Sequence, residues 1–350
     1  MSKIAILGHG VVGSGTAEVF LRNKESIADK LGKDVALKYI LDLRDFPESP
    51  YADKFTKDFD VILNDPEVTV VAELIGGTEP AYSFVKALLL AGKSVVTSNK
   101  ELVAKKGAEL LKIAAEKNVS FFFEASVGGG IPIIRPLQQC LSADSISEIA
   151  GILNGTTNFI LTKMFRDSMP FEQALKLAQD NGYAERDPSD DVNGVDACRK
   201  ICILASMIFG KRVNPDDVLT EGISSLTRED IEFCESKGGT CKLIARAVKV
   251  GDDVSVTVCP TFVDKNSQLA GVNDVYNAIM VRGEATGDVV FYGKGAGKYP
   301  TASAVVNDIV NALTLNGGGG SSLSWSDEAL VLSEPKFSGV YGNIRMFEGL

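Results

Sequence analysis

The chain has 350 residues, 45% of them hydrophobic and 23% charged, which suits a globular protein of two domains with sizeable cores. Lys and Arg number 36 against 46 Asp and Glu, a formal net charge of −10. That balance argues against a nucleic-acid partner and leaves room for a local site for a small anion.

The chain opens on an apolar strand with no secretion signal, and the longest apolar runs, such as 68–75, are strand-sized. No membrane association is therefore expected, and the protein reads as cytoplasmic. Six cysteines (Cys140, Cys198, Cys202, Cys234, Cys241, Cys259) form no CxxC pair, so reduced and mostly buried thiols are expected. Cys198 and Cys202 lie one helical turn apart and could share a metal, but a single histidine and no second ligand pair weigh against it. That histidine, His9, is a constraint in itself: any mechanism that needs an imidazole must use it.

Residues 3–7 (Lys-Ile-Ala-Ile-Leu) read as a buried strand, followed by Gly8-His9-Gly10-Val11-Val12-Gly13-Ser14-Gly15 and a long amphipathic segment to about Lys30. A second strand covers 34–41 and ends at Asp42. A third covers 68–75 and is closed by Gly76-Gly77. A helix over 80–91 begins at Pro80, where a missing N–H costs nothing. Short strands at 94–97 and 119–124 flank a helix over 100–118. Strands alternating with helices of this length predict an α/β architecture, a Rossmann-type doubly wound parallel sheet.

After about Pro132 the pattern changes. A strand at 147–153 precedes helices that dominate 158–209, and strands at 241–250, 254–262, 277–282 and 288–292 look antiparallel. This predicts an α+β catalytic and dimerisation domain. A helix over 300–315 is expected to pack back on the first domain, 317–320 to be a flexible break, and 321–350 to be a polar tail. The expected division is 1–134 with 296–320, 135–295, and the tail 321–350.

The order strand, Gly8-x-Gly10-x-x-Gly13, helix is the context in which this glycine spacing binds a dinucleotide. The first glycine permits the turn, the second admits a pyrophosphate, and the third lets helix and strand pack closely. The free N–H groups at the helix start meet the negative charge. Without a ligand, the same residues would be a glycine-rich turn in a parallel sheet. Asp42 could accept hydrogen bonds from the ribose of NAD, and Arg44 could instead bind the extra phosphate of NADP. Either residue could also be simply solvated at a strand end, and NAD and NADP are not separated here.

Further segments point to one family. They are Thr97-Ser98-Asn99-Lys100-Glu101, Glu124-Ala125-Ser126-Val127-Gly128-Gly129-Gly130-Ile131-Pro132, Gly155-Thr156-Thr157-Asn158, the run from Gly182-Tyr183-Ala184-Glu185 through Asp191 to Asp196-Ala197-Cys198-Arg199-Lys200, and Gly295-Ala296-Gly297 before Pro300. Together, in order, they resemble the homoserine dehydrogenase family over roughly 3–315. The resemblance implies interconversion of L-homoserine and L-aspartate 4-semialdehyde with NAD(P), in threonine, methionine and isoleucine biosynthesis.

The residues support such chemistry by themselves. Asp196 and Lys200 stand four apart on one helix face. Hydride arriving at an aldehyde builds charge on its oxygen, which an ammonium oriented by a carboxylate can neutralise. On spacing alone, a solvated surface pair is the commoner outcome.

The resemblance implies Lys200 as proton donor and acceptor, and Glu185, Asp191, Asp196 and Lys100 as substrate-binding residues. The expected cofactor-binding set is Gly8, Gly10, Val11, Val12, Gly13, Asp42, Arg44, Ser98, Lys100, Gly182 and Gly295. Lys100 has an alternative as a solvated lysine opening a helix. In the family, oxygens at the positions of Glu124, Val127, Gly129 and Ile131 bind a monovalent cation such as Na+, and backbone carbonyls suit hard cations. A tight turn with no ion is the alternative.

About thirty residues follow Gly320, too few for the regulatory ACT domain of many relatives, so a monofunctional enzyme is expected. Nothing in the sequence explains Arg186, where many relatives carry a small residue. A phosphorylating aspartate-semialdehyde dehydrogenase would need a cysteine nucleophile with a histidine partner, and His9 belongs to the phosphate loop. A non-catalytic NAD(P)-sensing module is opposed by the retained lysines and carboxylates. The long strand pairs suggest a homodimer through a shared sheet.

Overall fold

The computed structural model of the chain describes residues 2–315 and 323–350. The chain divides into two compact units, one of 1–138 with 296–327 and the other of 139–295 with 328–350.

The first unit begins with β1 (Ser2–Leu7), whose residues Ile4 to Leu7 are fully buried, as a strand covered on both faces requires. The amphipathic segment after it is two helices, α1 (Val11–Arg22) and α2 (Lys24–Leu31), and not one. Asn23 separates them with φ −101° and ψ 12°, outside the helical well. Then come β2 (Val35–Leu41), β3 (Phe55–Thr56), α3 (Phe59–Leu63), β4 (Val68–Glu73), α4 (Ala81–Leu90), β5 (Ser94–Thr97), α5 (Lys100–Glu116) and β6 (Phe121–Phe122). The strands pair in parallel in the order β3-β2-β1-β4-β5-β6. Chain order reverses at β1 and β4, the switch point of a doubly wound sheet. The helix Lys298–Thr314 completes this unit and packs on α1 across Gly15, where a Cβ would stand 3.0 Å from the Lys298 carbonyl oxygen.

The second unit contains β7 (Ile146–Ile152), α6 (Gly155–Arg166), α7 (Phe171–Asp180), α8 (Ser189–Val192), α9 (Val195–Phe209), β8 (Lys211–Arg212), β9 (Leu219–Thr220), α10 (Arg228–Ser236), β10 (Gly239–Val250), β11 (Asp253–Asp264), β12 (Tyr276–Gly283) and β13 (Gly287–Lys294). The central path of its sheet is β13-β12-β7-β10-β11, antiparallel throughout. The β10–β11 hairpin is the longest pairing and turns at Gly251, whose φ of +67° suits glycine.

Within β10, Lys242 is 1% exposed and donates to the Val272 carbonyl, to Asn158 Oδ1 at 3.2 Å and to Asn273 Oδ1 at 3.3 Å. Residues 328–350, expected as part of a polar tail, belong to this unit. Strands Ile344–Met346 and Gly339–Tyr341 extend its sheet beyond β11, and Phe347 and Leu350 enter its core. The segment 317–320, expected as a flexible break, lies outside the described residues.

Candidate active site

In the first unit, the turn from β1 into α1 carries three glycines with separate roles. Gly8 has φ of +93°, and a Cβ there would stand 2.8 Å from the Leu74 carbonyl oxygen. A Cβ on Gly13 would stand 1.9 Å from the Gly8 carbonyl oxygen, so strand and helix approach this closely only without a side chain. Gly10 differs, because nothing lies within 4 Å of a Cβ built there. It caps α1 with no side-chain hydrogen bond, which leaves the first-turn N–H groups of Val11, Val12 and Gly13 without a side-chain acceptor. An open approach above uncapped helix donors fits the pyrophosphate of a dinucleotide.

Asp42 follows β2. Its Oδ2 accepts from the His9 backbone N–H at 2.8 Å, and its Oδ1 from the Arg44 N–H at 3.0 Å. The Arg44 guanidinium clasps both oxygens at 2.9 and 2.8 Å. These bonds, the Arg44 side chain's first, hold the carboxyl well below the usual carboxylate range. Asp42 is thus saturated with donors. The Arg44 side chain is 63% exposed beside a cavity of about 440 Å³ that Phe46, Phe55 and Lys57 also line. His9 sits edge-on to Phe46 and Phe55 at 4.8 and 4.9 Å, and burial lowers its pKa. It packs as a ring beside the phosphate loop's own glycines.

Lys100 opens α5, and Ser98 lies just before it. The intervening Asn99 caps the helix by accepting from the Leu102 N–H at 3.0 Å, and it donates to the Gly77 carbonyl at 2.6 Å. The Asn99 N–H donates to the Thr97 hydroxyl, which donates in turn to the fully buried Glu73 at 2.7 Å. Burial pushes the Glu73 carboxyl up. This relay, which no spacing in the sequence announces, ties the ends of β4 and β5 together and sets the start of α5. A lysine in the first turn opposes the helix dipole, so helix stability does not account for it.

Glu124 is buried, and its carboxylate accepts from the N–H groups of Ile133, Ile134 and Arg135 at 2.6, 2.8 and 2.9 Å. Gly128 and Ile131 close a tight turn through a 2.8 Å backbone hydrogen bond, and Gly129 has φ of +57°. Among the described residues no group of three or more His, Cys, Asp or Glu could hold a metal ion. With the Glu124 carboxylate committed to three N–H groups, an ion in 124–131 would draw on backbone oxygens.

In the second unit, Gly194 turns the chain into α9 with φ of +82° and places Asp196 and Lys200 on its inner face. The pair is buried, Lys200 7% and Asp196 5% exposed. Lys200 Nζ donates to Asp196 Oδ2 and to the Leu153 carbonyl, each at 2.8 Å. An ammonium has three N–H bonds, so one more remains beyond these two. Asn154 Nδ2 donates to Asp191 Oδ1 at 2.7 Å and to Asp196 Oδ2 at 2.9 Å, which brings α8 and α9 to the end of β7. Burial first, and then the Asp196 charge, push the Asp191 carboxyl up.

The other expected residues of this unit take no part in the hydrogen bonds of that cluster, although the Tyr183 carbonyl accepts from the Thr156 hydroxyl at 2.8 Å. Glu185 is exposed and takes no part in the hydrogen bonds joining Asp191, Asp196 and Lys200, while Asp190 pairs with Arg199 at 2.6 Å. Gly182 ends the turn after α7 with φ of +72°. Gly295 lies where a Cβ would stand 2.0 Å from the Asn277 amide. Asn154 escaped the sequence reading because its partners are 37 and 42 residues away.

Two family models match, described as homoserine dehydrogenase, residues 132–310, and homoserine dehydrogenase, NAD binding domain, residues 8–124. The homoserine dehydrogenase of Bacillus subtilis is 44% identical over 313 residues, covering 88% of this chain and 72% of the relative. Among solved structures, a homoserine dehydrogenase from Thiobacillus denitrificans superimposes with a TM-score of 0.86 at 41% identity, over 90% of this chain and 74% of that one. A hyperthermophilic archaeal homoserine dehydrogenase in complex with NADPH matches with a TM-score of 0.76 at 27% identity, over 89% and 97%.

Proposed function

The chain belongs to the homoserine dehydrogenase family, and we propose that in its reaction Lys200 carries the proton while Asp196 orients it. The reaction is the NAD(P)-dependent interconversion of L-homoserine and L-aspartate 4-semialdehyde, a step of amino-acid biosynthesis. The nicotinamide, when bound, takes hydride from the alcohol carbon or returns it to the aldehyde. In the oxidative direction, neutral Lys200 accepts the hydroxyl proton as the C–H electron pair leaves. In the reductive direction, its ammonium donates a proton to the oxygen as charge develops there.

The observation that carries this reading is the burial of Lys200 between Asp196 and the Leu153 carbonyl, with one N–H left for a substrate oxygen. Asp191 and Glu185 would hold the substrate ammonium, and Lys100 its carboxylate or the cofactor. Asp196 serves as the orienting carboxylate and, with Asp191, as the anionic side of the substrate site. In Lys200→Ala, added methylamine should restore part of the lost turnover; an inactive variant that no amine rescues would count against proton transfer at this position.

The cofactor-binding set of Gly8, Gly10, Val11, Val12, Gly13, Asp42, Arg44, Ser98, Lys100, Gly182 and Gly295 is part of the same proposal. So is a monovalent cation on the backbone oxygens of Glu124, Val127, Gly129 and Ile131; its test is turnover with Na+ exchanged for a bulky organic cation, which unchanged rates would refute. A cytoplasmic homodimer is proposed as well. The exposed edge strand β13 supports the dimer, and a monomer mass by light scattering would end it. Buried free thiols support the compartment. No helix of the described residues is long and apolar enough to cross a membrane.

A further inference from the structure

The cluster around Lys200 contains a residue that neither the chemistry nor the spacing of the acidic segment calls for. Asn154 stands between β7 and α6 and is itself buried. Its Oδ1 accepts from the Thr157 N–H at 2.8 Å and from the Thr157 hydroxyl at 3.0 Å, which caps α6. With the oxygen committed to those donors, the amide has one orientation and Nδ2 must face the other way. There its two hydrogens go to two different carboxylates, Asp191 and Asp196. The Asp196 oxygen that receives one of them also receives Lys200. The neighbouring Leu153 carbonyl holds the same ammonium from the other side.

We propose that Asn154 is a positioning residue for proton transfer: its amide bridges Asp191 to Asp196 and so holds the carboxylate that orients Lys200. The proposal rests on the reading of Lys200 as the proton carrier. Its physical basis is charge. Two carboxylates brought together from α8 and α9 in a buried place repel, and one ammonium cannot satisfy both. An amide with two N–H bonds satisfies one oxygen of each without adding charge. It leaves the other oxygen of Asp191 to receive a substrate ammonium. The charged groups facing this amide are Asp191, Asp196 and Lys200.

Asn154→Asp tests the idea because it keeps the shape and the helix cap. Protonated, the new carboxyl can still donate to one of its neighbours. Ionised, it places a third carboxylate on one lysine. Burial and like charges lift its pKa from the ordinary aspartate value, so the variant is functional at low pH and loses function as pH rises. The quantity to measure is kcat/KM for L-homoserine as a ratio to wild type at each pH and at matched folded concentration, so that pH effects common to both enzymes cancel. That ratio should fall about ten-fold or more between roughly pH 6 and pH 9. A ratio that does not change with pH overturns the proposal, and thermal unfolding at each pH separates lost positioning from lost fold.

If Asn154→Asp does not fold, Asn154→Ser keeps a cap and removes the bridge. It should lower kcat about ten-fold at matched folded concentration, and wild-type kcat overturns the proposal. Lys200→Ala is measured alongside. If it retains turnover, the reading of Lys200 fails and this inference falls with it; if it is inactive while Asn154→Asp parallels wild type, this inference fails alone.

Discussion

Lys200 Nζ and Asp196 Oδ2 lie 2.8 Å apart, one turn from each other on α9, with less than a tenth of either side chain exposed. Spacing alone would put such a pair in solvent. Burial changes its energetics, because neither charge can return to water when the other is removed. Asp196→Asn should therefore lower the unfolding free energy by about 3 kcal/mol, read from the urea midpoint. It should also lower kcat by more than it raises KM for homoserine. A midpoint within error of wild type would mean that the ammonium finds another partner.

The three glycines of the phosphate loop should separate stability from cofactor binding. At Gly13 a Cβ meets the Gly8 carbonyl oxygen at 1.9 Å, whereas at Gly10 it meets nothing within 4 Å. Gly13→Ala is expected to lower both the melting temperature and NAD(P)H affinity. Gly10→Ala is expected to leave the melting temperature near wild type and weaken NAD(P)H by about ten-fold, because the methyl group occupies the approach of the pyrophosphate. Calorimetric titration and thermal unfolding of both variants check the pair.

Cofactor choice should turn on Arg44. It occupies both oxygens of Asp42 and borders a cavity with Lys57. In Arg44→Ala the carboxylate is released to accept from a ribose diol, while a phosphate at the same carbon loses a cation. The ratio of kcat/KM for NADP+ to that for NAD+ should fall by about ten-fold or more. An unchanged ratio would show that Arg44 serves only Asp42.

Lys242 gives a pH dependence of stability. Burial pushes its ammonium down to about 8, whereas an unfolded lysine titrates near about 10.4. Between those values the unfolded chain binds a proton that the folded chain has released, so stability rises with pH through that window and the cost is complete below it. The effect amounts to about 3 kcal/mol at most. The urea midpoint of wild type relative to Lys242→Met should rise from about pH 7.5 to about pH 9.5, and parallel curves for the two proteins would refute it.

The first unit was legible because each signal was local. An apolar run, a glycine spacing and a helical period predict β1, the phosphate loop and α1 within one stretch of chain. The break at Asn23 was missed because the amphipathic pattern continues through it. In the second unit the long strands were readable, but α10 was not, although Thr227 and Asp230 form a capping box that marks its start. Residues 328–350 read as polar because Phe347 and Leu350 stand singly, with no period to show that they enter a core. The same limit hid Asn154 and Glu73. Their roles are hydrogen bonds across the fold, and a residue before Gly155-Thr156 reads only as a turn.

The most direct measurement is the initial rate of L-homoserine oxidation by wild type and Lys200→Ala, each with NAD+ and NADP+, at matched folded concentration. Turnover by wild type with a loss of about two or more orders of magnitude in the variant is the expected result. A Lys200→Ala enzyme that turns over within a few-fold of wild type would remove Lys200 from the chemistry.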